Sequence, residues 1–161
     1  NLSNAPFRMY KRYTHEGGVA TPLIVHWPAG VKGKGDLRHA PSHLIDIAPT
    51  CLAAAGLEGK GMEGESLLPV FAQDQKRERT LFWEHEGNRA VRKGDYKLVA
   101  MHNTPWELYD MSKDRSELKD LSSSMPKKTT ELRSAWEAWA KRVGAKPWDE
   151  VNVKKNKKTK K

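Results

Sequence analysis

The spacing of apolar positions divides the chain into segments of different period. Residues 19–27, VATPLIVHW, are a short apolar run rich in β-branched side chains, interrupted by Thr21-Pro22 and closed by Pro28-Ala29-Gly30. Such a run predicts a buried strand of a larger sheet. After a Gly- and Lys-rich loop over 32–41, the segment DIAPTCLAAAG places Asp46 where an N-cap belongs, Pro49 in the first turn and Gly56 just past the end. That pattern predicts a short buried helix over 47–55. Residues 57–79, rich in Gly and charge, read as a connector.

Beyond the connector the period becomes two. TLFWEHE, a Gly87-Asn88 turn, RAVR, a Lys93-Gly94-Asp95 turn, YKLVAMH and, after Asn103-Thr104-Pro105, WELYDM predict three or four antiparallel strands joined by tight turns. The period then lengthens: Leu132, Ala135, Trp136, Trp139, Ala140 and Val143 recur at helical spacing, with Ser124 and Pro126 near the start and Gly144 at the stop. The first half thus reads as an α/β fragment and the second as a small α+β unit, an antiparallel sheet packed on one C-terminal helix. The expected division is 1–79, 80–148 and a tail over 149–161. A single buried-type strand needs neighbours, so the chain reads as the C-terminal part of something longer.

Composition changes this picture mainly at the end of the chain. The 161 residues carry 29 basic and 20 acidic side chains, a net charge of +9, but Lys154, Lys155, Lys157, Lys158, Lys160 and Lys161 supply six of those charges, so the body carries only +3. KKNKKTKK has nothing to bury and repels itself, which predicts a solvated, disordered tail. Such a tail could also touch an anionic polymer, but no aromatic residue interleaves the lysines to stack on bases, so nucleic acid is not the expected partner. The longest apolar stretches fall far short of a membrane span, and the Asn1 start carries no leader-like pattern. The single Cys51 excludes an intrachain disulfide framework and a thiolate zinc site.

The densest group of functional side chains is Lys11-Arg12-Tyr13-Thr14-His15-Glu16-Gly17-Gly18, just before the apolar run. Lys11 offers a point positive charge for an anionic ligand, and the glycine pair permits close backbone approach. Read with Asn4-Ala5-Pro6-Phe7-Arg8, Thr21-Pro22 and Trp27-Pro28, this run resembles the K-x-x-x-x-E-G-G segment of the sulfatases, members of the alkaline-phosphatase-like superfamily. Further segments resemble that family in the same order: His43 with Asp46-Ile47-Ala48-Pro49-Thr50, Gly64-Glu65-Ser66-Leu67, Trp83 through Ala90, Gly94 through Val99, and Trp106 through Asp110. The resemblance covers residues 1–148.

The resemblance implies the last strand and helix of an alkaline-phosphatase-like sheet, followed by the small subdomain that closes one side of a cleft. It implies a parent arylsulfatase-like enzyme, a sulfuric ester hydrolase acting on a sulfated small molecule or carbohydrate, periplasmic or secreted. Its cofactors would be calcium and a formylglycine nucleophile. The C/S-x-P-x-R motif of that nucleophile is missing here, since Cys51 is followed by Leu52 and Ala53, and the family's metal ligands are missing too. The chain alone is therefore expected to be inactive and to need the N-terminal remainder of the same protein as its partner. Lys11 matches the family lysine that touches a sulfate oxygen and the bridging ester oxygen, and is the expected catalytic residue.

Glu16 is expected to order its loop by bonding backbone or an arginine, and His43 to be structural. Strand alternation places His85 on the face opposite Glu84 and Glu86, so His85 is either a substrate-binding imidazole or a satisfied histidine at a domain junction. Asn88, with Arg89, is either turn chemistry or a lip of the substrate pocket. His39 and His43 flank Pro41, which argues against a helical metal pair, and Asp110 with Asp114 lacks the spacing of a calcium loop. Two other readings stay open: a phosphonate or phosphate monoester hydrolase of the same superfamily, and a non-catalytic basic interaction module.

Overall fold

In a computed structural model, which describes residues 4–33 and 35–156, the chain forms helices Glu16–Val19 (α1), Ile47–Ala54 (α2), Leu68–Ala72 (α3), Pro126–Val143 (α4) and Trp148–Asn156 (α5). Strands Thr80–His85 (β1), Asn88–Lys93 (β2), Tyr96–Ala100 (β3) and Glu107–Asp110 (β4) make one antiparallel sheet in the order β1-β2-β3-β4. The sequence predicts three or four such strands; four form, and tight turns set their register. Glu86 and Gly87 have φ of 52° and 82°, the left-handed pair that a two-residue hairpin turn requires. This turn lies one residue earlier than the Gly87-Asn88 reading, and Asn88 instead opens β2 opposite His85.

Because side chains alternate along each strand and cross-strand partners share a face, the sheet has two unlike surfaces. One surface carries Phe82, Val91, Leu98 and Leu108, which pack with Leu132 and Trp136 of α4. Trp139 stacks on Phe82 with ring centroids 5.1 Å apart and planes 3° from parallel. Helix α4 is the predicted amphipathic helix, and it stops at Gly144, whose φ of 71° is the left-handed C-cap that a glycine takes without penalty. The other surface carries Trp83, Ala90, Val99 and Tyr109, flanked by Asn88, Lys97 and Glu107. Its polar positions are tied to residues 8–16 by hydrogen bonds and ion pairs, and residues 4–21 group with 79–156 and not with the segment that follows them.

Residues 22–78 make a second unit, held by polar ties around a buried carboxylate. Asp46 accepts from the backbone N–H of His43 at 2.9 Å and of Glu65 at 3.0 Å, and pairs with Arg77 at 3.4 Å. It caps the short 3₁₀ turn Leu44–Asp46, with the His43 ring accepting from Ile45, and makes no side-chain cap on α2. Helix α2 ends one residue short of its predicted span and buries only Pro49 and Thr50, so it is less buried than expected. The connector over 57–79 contains α3, which buries Val70.

Two further expectations are corrected. VATPLIVHW forms no strand, because no neighbouring strand is available among the described residues; Ile24 is 90% and Leu23 53% exposed. Residues 148–156 are helical and not part of a disordered tail, with Asp149 and Glu150 in the first turn where carboxylates favour the helix dipole. Residues 157–161 of that expected tail lie outside the described residues. No described helix is long and apolar enough to cross a membrane.

Candidate functional site

Lys11 lies on an exposed turn between Tyr10 and Arg12, closed by the Tyr13 N–H donating to the Tyr10 carbonyl at 2.9 Å. Among the described residues its ammonium has no ion-pair partner. Its surroundings are fixed tightly. The Gly17 N–H donates to the Arg8 carbonyl at 2.9 Å, and the Asn4 amide donates to the Gly17 carbonyl at 2.9 Å. A Cβ on Gly17 would run into the Arg8 and Met9 carbonyl oxygens, and one on Gly18 into that of Tyr13. The glycine pair is what lets α1 lie against the loop that presents Lys11.

The β1–β2 hairpin holds the same loop from the other side. The Arg12 guanidinium donates twice to one Glu86 oxygen, at 3.0 and 2.6 Å. Asn88, 7% exposed, donates from Nδ2 to the Arg12 carbonyl at 2.9 Å and to the His85 carbonyl at 3.0 Å, and accepts from the His102 N–H at 3.2 Å. His85 shares the sheet face of Asn88, as alternation predicts, and its side chain is exposed. Lys11, His85 and Asn88 are thus brought to one end of one sheet face, with Asn88 spending its amide on backbone groups.

Beneath the loop runs a buried charge network. Lys97, fully buried, pairs with Glu16 at 3.0 Å and with Glu117 at 2.9 Å; Arg115 reaches Glu16 at 3.2 Å, and the Glu16 N–H donates to Glu117 at 2.8 Å. Beside it, Arg8 donates to Glu107, to the Tyr109 hydroxyl and to the Glu117 carbonyl at 3.2, 2.7 and 2.7 Å, while Tyr109 donates to Glu107 at 2.7 Å. The His15 Nε2 lies 3.4 Å from Glu107. Burial pushes the Glu16 carboxyl up, but Lys97 and Arg115 outweigh it and hold the group below its ordinary value. Glu107 is likewise held low, its burial outweighed by Tyr109, His15 and Arg8. Burial lowers His15, with Glu117 and Glu107 only partly opposing it, so the ring favours its neutral form.

Glu16 therefore orders its loop as expected, through Arg115, but its nearest cation is Lys97, which sequence reasoning passed over. So were Arg8, Glu107, Tyr109 and Glu117. No local signal marks Lys97, since a lysine alternating with apolar residues in a strand reads as a solvent position. Among the described residues no group of three or more His, Cys, Asp or Glu side chains is placed to hold a metal ion.

Comparison with known proteins gives a consistent picture. Residues 7–141 match the family described as N-sulphoglucosamine sulphohydrolase, C-terminal. An uncharacterized sulfatase of Schizosaccharomyces pombe is 30% identical over 159 residues, which cover 88% of this chain and 28% of that protein. N-acetylgalactosamine-6-sulfatase of Sus scrofa is 36% identical over 100 residues, 59% of this chain and 19% of its own length. The crystal structure of Ps i-CgsB superimposes with a TM-score of 0.76 at 26% identity, covering 86% of this chain and 32% of that one. The chain spans less than a third of the length of each of these relatives.

Proposed function

The chain belongs to the sulfatase family, of which it is a C-terminal portion, and we propose that the full-length protein hydrolyses a sulfate monoester carried by a carbohydrate, with Lys11 contacting the ester. The observation that carries this is Lys11 itself. It is a solvent-facing ammonium without an ion-pair partner among the described residues, on a loop whose flanking Tyr10 and Arg12 are both hydrogen-bonded. A carbohydrate ester is supported by two relatives: N-acetylgalactosamine-6-sulfatase by its name, and Ps i-CgsB by its complex with k-i-k-neocarrahexaose, at 26% identity and a TM-score of 0.75. Calcium and the formylglycine nucleophile belong, in this reading, to parts of the protein outside this chain. A periplasmic or secreted location accompanies the reading.

The residues of this chain would act by charge and placement. Negative charge grows on the bridging oxygen as the S–O bond breaks, so an ammonium at that oxygen binds the transition state more tightly than the substrate. His85, exposed on the sheet face that Asn88 shares, would hydrogen-bond the leaving group. Lys11→Ala in the full-length enzyme is expected to lower kcat by about 10²–10³, as loss of one such donor does elsewhere. Lys11→Arg should rescue only partly, because a planar fork does not reproduce a compact point charge. Steady-state kinetics on 4-nitrophenyl sulfate, with circular dichroism as the folding control, measures both; a change below about twofold removes Lys11 from the reaction. Preference for a phenylphosphonate ester over the sulfate would move the assignment to the other hydrolase class, and the isolated 161 residues should turn over neither.

A further inference from the structure

We infer that Asn88 is a positioning residue for Lys11: one buried amide ties the loop carrying Lys11 to the end of β1 and so fixes where that ammonium stands against the substrate. This rests on Lys11 acting as proposed above. The Asn88 side chain meets three backbone groups from three separate stretches of chain, namely the Arg12 carbonyl, the His85 carbonyl and the His102 N–H. Two carbonyls and one N–H leave a single consistent orientation of the amide, with its NH₂ on the carbonyls and its oxygen on the N–H. At 7% exposure each of these bonds is shielded from water, so losing one leaves a polar atom without replacement.

The loop needs such a tie. Tyr10, Lys11 and Arg12 are all exposed, so no packing against a core holds the Lys11 backbone. Its restraints beyond the loop are polar, and the hairpin supplies two of them at Arg12: the amide of Asn88 on the carbonyl and the carboxylate of Glu86 on the guanidinium. The hairpin turn is in turn seated firmly, since a Cβ on Gly87 would lie 2.5 Å from the His102 ring and 3.0 Å from Trp148. A lysine reaches its target through four rotatable bonds, and a shift of its Cα by about 1 Å is enough to misplace a catalytic group at a large cost in rate.

The test is a double-mutant cycle in the full-length enzyme with 4-nitrophenyl sulfate. Asn88→Asp keeps the acceptor for His102 and the shape of the side chain but faces the Arg12 and His85 carbonyls with an oxygen. It is expected to lower kcat about 10- to 100-fold with KM changed less than about threefold, and to lower it less than about twofold once Lys11 is already alanine. A residue that merely closes the hairpin would cost the same factor in both backgrounds, and that result overturns the inference. So does Asn88→Asp without effect in the wild-type background when Lys11→Ala shows its full loss, which leaves the Lys11 reading standing. If Lys11→Ala itself is silent, the Lys11 reading fails first and the inference with it. Should Asn88→Asp not fold, Arg12→Ala reports on the same loop from an exposed side chain, with a loss of about three- to fivefold in kcat that again requires Lys11.

Discussion

The two faces of the sheet solve the problem of burial in opposite ways. On one, Val91, Leu98, Leu108 and Leu132 are wholly buried against each other, and α4 covers them with Trp136 and Trp139. On the other, Lys97, Glu107, Asn88 and Tyr109 are covered by a segment whose own contributions are Arg8, Arg12, His15 and Glu16. Apolar contact is non-directional and tolerates small shifts, whereas buried charges hold only at matched distance and angle. The apolar face therefore stabilises the unit, and the charged face sets the position of one loop upon it. Lys11 sits on the loop that the charged face positions.

The comparison breaks most sharply at its most buried cation. Lys97→Met leaves Glu16 and Glu117 in the interior with their main counter-charge gone, and is expected to cost about 3–5 kcal/mol in denaturant unfolding. Adding Glu117→Gln should recover part of that loss, because the penalty lies in the stranded charge and not in the missing methylenes. On the apolar face Leu108→Ala is expected to cost about 3 kcal/mol, the transfer and cavity terms of an ordinary core leucine. That loss should be the same at pH 7 and pH 5, since the Asp120 carboxylate that accepts from the Leu108 N–H is held below its ordinary 3.8. A Leu108→Ala loss that varied with pH, or a Lys97→Met variant as stable as the parent, would erase the distinction between the faces.

Acid should act first on the charged face. His15 has its pKa lowered from 6.5, so the unfolded chain binds a proton below that pH which the folded chain refuses; stability is full above 6.5 and falls as pH drops beneath it. Glu16 and Glu107 have theirs lowered from 4.5, so their contribution is full above that value and is lost as pH falls through the folded pKa values. The unfolding midpoint is expected to decline in two stages, beginning near 6.5 and again below 4.5. His15→Asn should remove the first stage and leave the second, measured by thermal unfolding between pH 8 and pH 3.

The same division explains what could be read in the sequence. The apolar face was legible because alternation in the strands and helical spacing from Leu132 to Val143 mark each member locally. The charged face was not, because in an isolated strand pattern Lys97 and Glu107 look like ordinary solvent positions. What covers them is remote: Arg8 and Glu107 stand 99 positions apart, and Glu16 and Lys97 stand 81 apart. Lys11, His85 and Asn88 are each named from the sequence, but what ties the Lys11 loop to the hairpin, the Asn88 amide on the Arg12 and His85 carbonyls, has no local signature. The strand expected over 19–27 failed for the complementary reason: the run carries the right composition, and no described strand stands beside it.

The smallest expected effect lies at the rim of the charged face. Arg12 pairs with Glu86 at 2.6 Å, but its side chain is 61% exposed, so water and salt screen the attraction and ordering a long side chain offsets what remains. Arg12→Ala should leave the unfolding midpoint within about 1 °C of the parent at 0.15 M salt, in contrast to the large loss at Lys97. If the charged face were a stabilising device throughout, its exposed pairs would weaken the fold in proportion to their number. If it is a placement device anchored at a buried centre, the rim pairs can be removed with no measurable thermal cost while kcat still falls. Differential scanning calorimetry of Arg12→Ala beside Lys97→Met, in the same buffer, separates the two.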